Sequence, residues 1–210
     1  MTAPARHGPR LSFAHPEGVL GRFAARLMAV AGRRRSQEVL VRLDLRPGDR
    51  VLEIGFGAGD DLARASARVG PTGSVSGIDS SKTLVGQARR RFRAAIAQDR
   101  MAVTLASADD PFPFPDGAFT KAFSINSFQF WADPVASLQE LHRVLVPGAK
   151  VILAVQPKGE LATTTTPAAM LEILTQALQR AGFDHAQGSL CPMRPRAVAI
   201  VQALRPDGRA

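Results

Sequence analysis

Residues 51–60 read Val-Leu-Glu-Ile-Gly-Phe-Gly-Ala-Gly-Asp, and a second apolar run over residues 74–79 ends at Asp79. An apolar strand that runs into a Gly-x-Gly-x-Gly turn and then a helix is how a doubly wound α/β domain brings main chain against a nucleotide. Glycine is required at Gly55, Gly57 and Gly59 because side chains would block that approach, and because such turns call for positive φ. An acid ending the following strand is placed to accept hydrogen bonds from both hydroxyls of a ribose. The two segments together predict an adenosine-type cofactor.

Charge discriminates among such cofactors. A dinucleotide presents a pyrophosphate to the helix N-terminus, and its fingerprint wants glycine at the sixth position of Gly-x-Gly-x-x-Gly. That position is Asp60 here, Asp61 follows, and Glu53 lies inside the strand. Three carboxylates oppose a pyrophosphate. S-adenosylmethionine (SAM), which carries a sulfonium and an ammonium and no phosphate, suits them. Asp60 and Asp61 are also expected to cap the helix and compensate its dipole.

A chain of 210 residues with 45% apolar content suits one domain with a sizeable core. A single cysteine, Cys191, excludes an internal disulfide and argues against a structural zinc site, and no bound metal is expected. No apolar run reaches membrane-spanning length, and the basic start lacks the hydrophobic segment of a signal peptide, so a cytoplasmic location is the default expectation. The net charge of +9 is uneven: residues 1–50 hold ten arginines against four acids. Two readings stand, attraction to a polyanion or ordinary solvated surface.

Strand and helix patterns alternate. Residues 1–17 are expected to be a mobile arm, with a helix over 18–31 and a second over 34–43 that turns Val39, Leu40 and Leu43 inward. Strands are predicted at 51–55, 74–79, 102–108, 121–127 and 150–156, with helices at 60–69, 81–95 and 134–145. Thr166, Pro167 and Gly182 delimit one more helix, and two last strands fit 184–190 and 197–204. These elements predict a doubly wound, seven-stranded, mostly parallel sheet ending in an edge hairpin. Residues 1–44 form an arm and lid, and residues 45–210 the cofactor-binding domain.

From about Leu45 to Leu204 the sequence resembles the class I (Rossmann-like) SAM-dependent methyltransferases, in particular the ubiquinone/menaquinone-biosynthesis group. The resemblance rests on Glu53–Gly59, Gly77-Ile78-Asp79-Ser80-Ser81, Ala108-Asp109, Pro113-Phe114-Pro115-Asp116-Gly117-Ala118-Phe119, and Glu140-Leu141-His142-Arg143-Val144-Leu145-Val146-Pro147-Gly148. Two positions depart from the family pattern: Thr120 stands where an acid is usual, and Ala149 where a second glycine is usual. The resemblance implies that Gly55, Gly57 and Gly59 lie against the methionine and ribose parts of SAM, with Glu53 near its ammonium. It implies Asp79 on the ribose diol, Ile78 and Ser80 flanking, Ala108 and Asp109 at the adenine edge, and the segment from Ser124 to Ser127 beside the sulfonium.

The acceptor side is drawn from the residues after the fourth strand. Phe128, Phe130 and Trp131 either wall a pocket for an apolar or planar acceptor or belong to the core. Asn126 and Gln129 either orient the acceptor or cap the loop, and Gln156 is a similar candidate. A base is needed only if the acceptor must lose a proton early; His15, in the arm, is the histidine to test, while His142 is expected on the surface and His185 far from the glycine turn. The chain has no tyrosine, which excludes a phenolic base. Three classes of function follow: a small-molecule methyltransferase working by direct displacement, a methyltransferase docked on phospholipid or RNA through its arginine-rich start, and a non-catalytic SAM-binding module. The first is the expectation, because the chain has no appended nucleic-acid domain and every cofactor segment is intact. Peripheral contact with an anionic membrane remains compatible with the basic start, and the oligomeric state is not legible.

Overall fold

The computed structural model describes residues 32–208. The chain divides into two units, Met1–Arg34 and Arg35–Ala210. The expected arm, the helix over 18–31 and His15 all lie outside the described residues. Residues 35–43, here α1, belong to a helix that covers 32–43, and Val39, Leu40 and Leu43 are buried as their spacing predicts.

The remaining elements follow in the order β1 (Arg50–Ile54), α2 (Asp60–Val69), β2 (Ser74–Asp79), α3 (Lys82–Arg91), α4 (Arg93–Ala97), β3 (Met101–Leu105), β4 (Phe119–Ile125), α5 (Pro134–Val144), β5 (Leu145–Val155), α6 (Leu161–Thr164), α7 (Pro167–Arg180), β6 (Asp184–Cys191) and β7 (Val198–Leu204). They build one seven-stranded sheet in the order β3-β2-β1-β4-β5-β7-β6. The first five strands are parallel, and β7 enters antiparallel between β5 and β6.

Period-two alternation decides which side chain meets which layer of helices. Along β5, Val151, Leu153 and Val155 join the apolar cluster under α5 and α7, while Ile152 and Ala154 join the one under α1, α2 and α3. Both faces are therefore covered, as a parallel sheet requires. Strand order reverses between β1 and β4, so the crevice at their carboxyl ends is the topological switch point where doubly wound sheets bind ligands.

Several expected boundaries differ. The helix expected over 81–95 breaks at Phe92 into α3 and α4. The third strand stops at Leu105, which leaves Ala108 and Asp109 in the loop beyond it. The fifth strand begins at Leu145, directly from α5, and Pro147-Gly148 sits in a register shift against β4 rather than in a turn between helix and strand. Asp60 and Asp61 do not cap α2: Gly59, in the left-handed region, holds the N-cap position without a side-chain bond, and the two acids occupy the first turn, where the dipole favours them. His142 is half-buried, edge-on to Phe183 at 5.2 Å between ring centres, and burial pulls its pKa down.

The family motifs after β3 and on α5 turn out to be two halves of one clamp. Arg143 donates to the carbonyls of Phe112 (3.1 Å) and Phe114 (3.0 Å), to Asp116 (2.5 Å) and to Glu140 (2.6 Å). Glu140 in turn accepts from the Phe112 amide at 2.7 Å. The Glu-Leu-His-Arg helix thus fixes the Pro-Phe-Pro-Asp-Gly loop under the sheet. Thr120 replaces the usual acid with a hydroxyl that donates to Asp49 (2.9 Å) and accepts from the Arg50 amide (3.1 Å).

Candidate functional site

The glycine turn joins β1 to α2 at the switch point. Gly55 has φ +74°, and a Cβ there would sit 2.2 Å from Ser127 Oγ and 2.4 Å from Ser127 Cβ. Its amide donates to the Ile78 carbonyl at 2.8 Å, which ties the turn to the end of β2. Glycine is therefore required at this point by conformation and by close approach together. Gly55→Ala is expected to lower the melting temperature by an amount equivalent to at least about 1–3 kcal/mol, the usual scale of local backbone strain. Adding Ser127→Gly should recover only part of that loss, since the positive φ persists; full recovery in thermal unfolding would mean that the clash alone mattered. Gly57, φ +55°, differs: nothing lies within 4 Å of where its Cβ would be, so its face of the turn is open to a ligand.

Asp79 fastens the same turn from the neighbouring strand. Its Oδ2 accepts from the Gly57 amide at 2.9 Å and its Oδ1 from the Ser81 amide at 2.9 Å. Ser81 caps α3 by accepting from the Leu84 amide at 3.4 Å. The carboxylate is thereby aimed along the carboxyl edge of the sheet, with oxygen lone pairs left over for a further donor. Ile78 before it is wholly buried in the core, and Ser80 after it is exposed.

Glu53 is the anomaly of the site. It is 2% exposed, yet its Oε2 has no hydrogen-bond partner among the described residues. Burial raises its pKa well above the ordinary carboxylate range, and the nearby charges of Asp61 and Asp79 add to the shift. A buried carboxyl left short of partners is costly unless a donor or cation completes it. The two acids of the first turn are partly neutralised: Asp60 pairs with Arg91 at 2.8 Å, and Asp61 with Arg64 at 2.7 Å. Electrostatic exclusion of a phosphate thus falls on Asp79 more than on the α2 acids, while the buried Glu53 carboxyl is poised to ionise when a cation joins it.

On the other side of the crevice, Ser124, next to last in β4, is buried with its Oγ unpartnered among the described residues. Asn126 follows in the left-handed region at φ +54°, which asparagine tolerates, and its Oδ1 accepts from the Gln156 amide at 2.8 Å. Gln129 donates to the Asn126 carbonyl at 3.0 Å and leaves its own buried Oε1 without a partner. The three aromatics sit around a single 3-10 turn, Phe128–Phe130. Phe128 and Trp131 pack in the core at 5.2 Å from each other, and the Trp131 indole N–H donates to Ser127 Oγ at 3.0 Å. Phe130 is exposed at 65%.

Asp109 has a positional task beside any ligand role. Its Oδ1 accepts from the Ala132 amide at 2.8 Å and closes the loop after β3 against the segment leading to α5. Its Oδ2 meets the Ser107 hydroxyl at 3.4 Å. Ala108 is half-buried against the same core. Gln156, at the end of β5, has both side-chain polar atoms engaged: Oε1 accepts from Arg35 at 3.1 Å, and Nε2 donates to the Arg196 carbonyl at 2.7 Å. Arg35 and Lys158 gain their importance from contacts across the fold, and only the arginine bias of the first fifty residues hinted at the first of them.

Residues 51–148 match the family model for a methyltransferase domain. That segment is similar to the methyltransferase-domain family, and the fold is that of the class I SAM-dependent methyltransferases. The matched segment runs from the glycine turn to the Pro-Gly of β5 and so holds Glu53, Asp79, Asp109 and Asn126 in one unit. A 2-phytyl-1,4-naphtoquinone methyltransferase of Nostoc sp. is 39% identical over 108 residues, 51% of this chain and 47% of that protein. A demethylmenaquinone methyltransferase of Symbiobacterium thermophilum is 34% identical over 116 residues, 55% of this chain and 46% of that protein. The chain thus spans about half or less of the length of the first curated relatives it matches. The crystal structure of a SAM-dependent methyltransferase from Aquifex aeolicus shares the fold, with a TM-score of 0.67 and 24% identity across 80% of this chain and 88% of that chain. The family's cofactor is SAM, and the unpartnered Glu53 carboxyl beside an open glycine turn fits its cationic amino-acid end.

Proposed function

We propose that this protein transfers a methyl group to a small, apolar, quinone-like acceptor by direct displacement. The observation that carries the reading is the sealed Glu53 carboxyl, short of a partner and set near Asp79 and Asp61. Such a site favours a ligand with positive charge and no phosphate. Glu53 would hold the ammonium, Asp79 the ribose diol, and the main chain of Gly55, Gly57 and Gly59 the stretch between them. Ala108 and Asp109 would meet the adenine edge, with Ile78 and Ser80 alongside. When bound, SAM supplies an electrophilic methyl group on a sulfonium.

The chain's own work is then alignment and exclusion of water, which suffice for much of a displacement barrier. Ser124 and Asn126 flank Ile125, the last residue of β4, at the crevice, and the Asn126–Gln156 bond sets the direction in which the following loop leaves the strand. Phe130, exposed beside the crevice loop, offers apolar area to a planar acceptor. The names of the Nostoc and Symbiobacterium relatives support a quinone-like acceptor. Among the described residues no histidine is positioned by β4 or the glycine turn, so the reading relies on an acceptor that arrives ionised or needs no early deprotonation.

Labelled SAM incubated with a reduced naphthoquinone should yield a product heavier by one methyl group. The Michaelis constant for that acceptor should be nearly unchanged between about 50 and 200 mM salt, whereas a phospholipid or RNA docked by arginines would lose affinity steeply over that range as counterions are released. A steep salt dependence, or transfer only to vesicles or RNA, would reject the small-molecule reading in favour of a polyanionic partner. Cofactor binding without transfer to any member of a quinol and phenol series would leave a binding module.

A further inference from the structure

Four segments meet around Gln156 at the carboxyl end of β5. Its amide is held by Asn126 Oδ1 at 2.8 Å, its Oε1 by Arg35 at 3.1 Å, and its Nε2 donates to the carbonyls of Arg194 (3.3 Å) and Arg196 (2.7 Å) in the β6–β7 connection. Gln156 is itself 2% exposed, so this hub is rigid and dry. Lys158, two residues on, is near enough to Arg35 that the two cations act on each other, and its ammonium pKa is lowered by partial desolvation and then by the Arg35 charge.

The charges at this hub do not balance. Arg35 is half-buried, its Nε is sealed from solvent without a partner, and desolvation pulls its pKa below the usual value. Among the described residues neither Arg35 nor Lys158 has a carboxylate within 4.0 Å. Asp61, which acts on Arg35 at longer range, is taken up by Arg64 at 2.7 Å and Ser36 at 2.8 Å. Two neighbouring cations, one desolvated and oriented by a buried glutamine, are stabilised when an anion joins them. Gln156 links Arg35 to Asn126, on the acceptor side of the crevice, while Asp61, the acid that acts on Arg35 at longer range, is already paired. The site is thus polarised, with negative charge at the glycine turn and positive charge at the end of β5.

We propose that Arg35 and Lys158 form an anion-binding subsite beside Asn126 that takes an aromatic oxyanion of the methyl acceptor, a ring carboxylate or an ionised ring hydroxyl. The proposal rests on the methyl-transfer reading above and narrows its substrate class to acceptors that bind as anions. Arg35, fixed in direction by Gln156, presents its planar guanidinium; Lys158 adds a mobile point charge. Stabilising the oxyanion lowers the pKa of the bound acceptor, so a ring carboxylate binds as it is and a ring hydroxyl gives its proton to bulk water on binding. This accounts for a displacement site without a histidine or tyrosine base among the described residues.

The test is calorimetric titration of the full chain loaded with S-adenosylhomocysteine (SAH), using two matched pairs of probes. One pair is 2-naphthoate and 2-naphthamide, which share ring and shape and differ in charge; the other is 4-nitro-1-naphthol, ionised at neutral pH, and 1-naphthol. The anion of at least one pair should bind about ten- to a hundredfold more tightly than its neutral partner, the range of a hydrogen bond to a charged group. The favoured pair tells carboxylate from ring hydroxyl. Lys158→Gln, at an exposed position, should erode that preference severalfold, Arg35→Gln should abolish it, and Arg35→Lys should restore part, all with SAH affinity unchanged. Equal binding within both pairs, or a preference untouched in Lys158→Gln and in a folded Arg35→Gln, would overturn the subsite. Failure of the wild-type chain to bind SAH would instead overturn the methyl-transfer reading, while the preference measured without SAH would still decide the subsite.

Discussion

Asp79→Ala should lower affinity for SAM and for SAH by about ten- to a hundredfold, the equivalent of a charge-assisted hydrogen bond of about 1.5–3 kcal/mol. The loss should fall toward the upper end, because this carboxylate does two things at once. Beside offering lone pairs to a ribose diol, it accepts from the amides of Gly57 and Ser81 and thereby holds the glycine turn against the end of β2. Removing it leaves two half-buried N–H groups without partners and frees the turn. Calorimetry on Asp79→Ala, with thermal unfolding alongside, separates the effects: the melting temperature should fall modestly while cofactor affinity collapses. Unchanged affinity in the folded variant would remove Asp79 from the cofactor site.

Cofactor binding should also release a proton from Glu53. In the free protein, burial first and the charges of Asp61 and Asp79 second raise the Glu53 pKa well above its ordinary value. For an acid whose pKa is raised by folding, the contribution to stability is fully present below the unfolded-state pKa and is lost as pH rises through the folded-state pKa. The free protein should therefore lose stability as pH climbs above the ordinary glutamate range toward that raised value. An ammonium placed against the carboxyl favours its charged form and lowers the pKa again. SAM affinity must then increase with pH across the interval between the two values, and the heat of binding must vary with the ionisation enthalpy of the buffer. Glu53→Gln, which keeps the shape, should show neither effect, together with weaker binding. Buffer-independent heats in the wild-type protein would mean that no proton leaves Glu53 on binding.

The geometry that was legible in the sequence is that fixed by local conformation. Glycines at 55, 57 and 59 are demanded by a turn five residues long, and Asp79 by the end of the strand that pairs with β1; both are set within one βαβ unit. The alternating apolar runs likewise fix seven strands, since a residue's inward or outward face follows from period two alone. Boundaries went astray where a contact outside the element decides them. α3 ends at Arg91, and the Phe92 that breaks the expected long helix packs in the cluster beneath α1, α2 and α3, on the far side of the sheet from α5 and α7. β5 begins early because Leu145 pairs with Phe119 ahead of the Pro-Gly shift.

The aromatics after β4 show the same division. Three of them within four residues promise apolar surface, but their fates are set by a single 3-10 turn that sends Phe128 and Trp131 into the core and leaves Phe130 outside. Composition gave no way to sort them. Gln156 read only as a strand-end polar residue, because its partners Arg35 and Asn126 are 121 and 30 positions away.

What the sequence by itself determined is the local geometry at the carboxyl ends of β1 and β2: a glycine turn and a strand-end acid in a doubly wound sheet, each a short-range requirement of main-chain geometry. What only the tertiary structure decided is the charge pattern of the crevice. It neutralises Asp60 and Asp61 with Arg91 and Arg64, leaves Glu53 unpartnered, and brings Arg35 beside Lys158. Pairing of charges depends on distance in space and on desolvation, and neither is encoded in the spacing of residues along the chain.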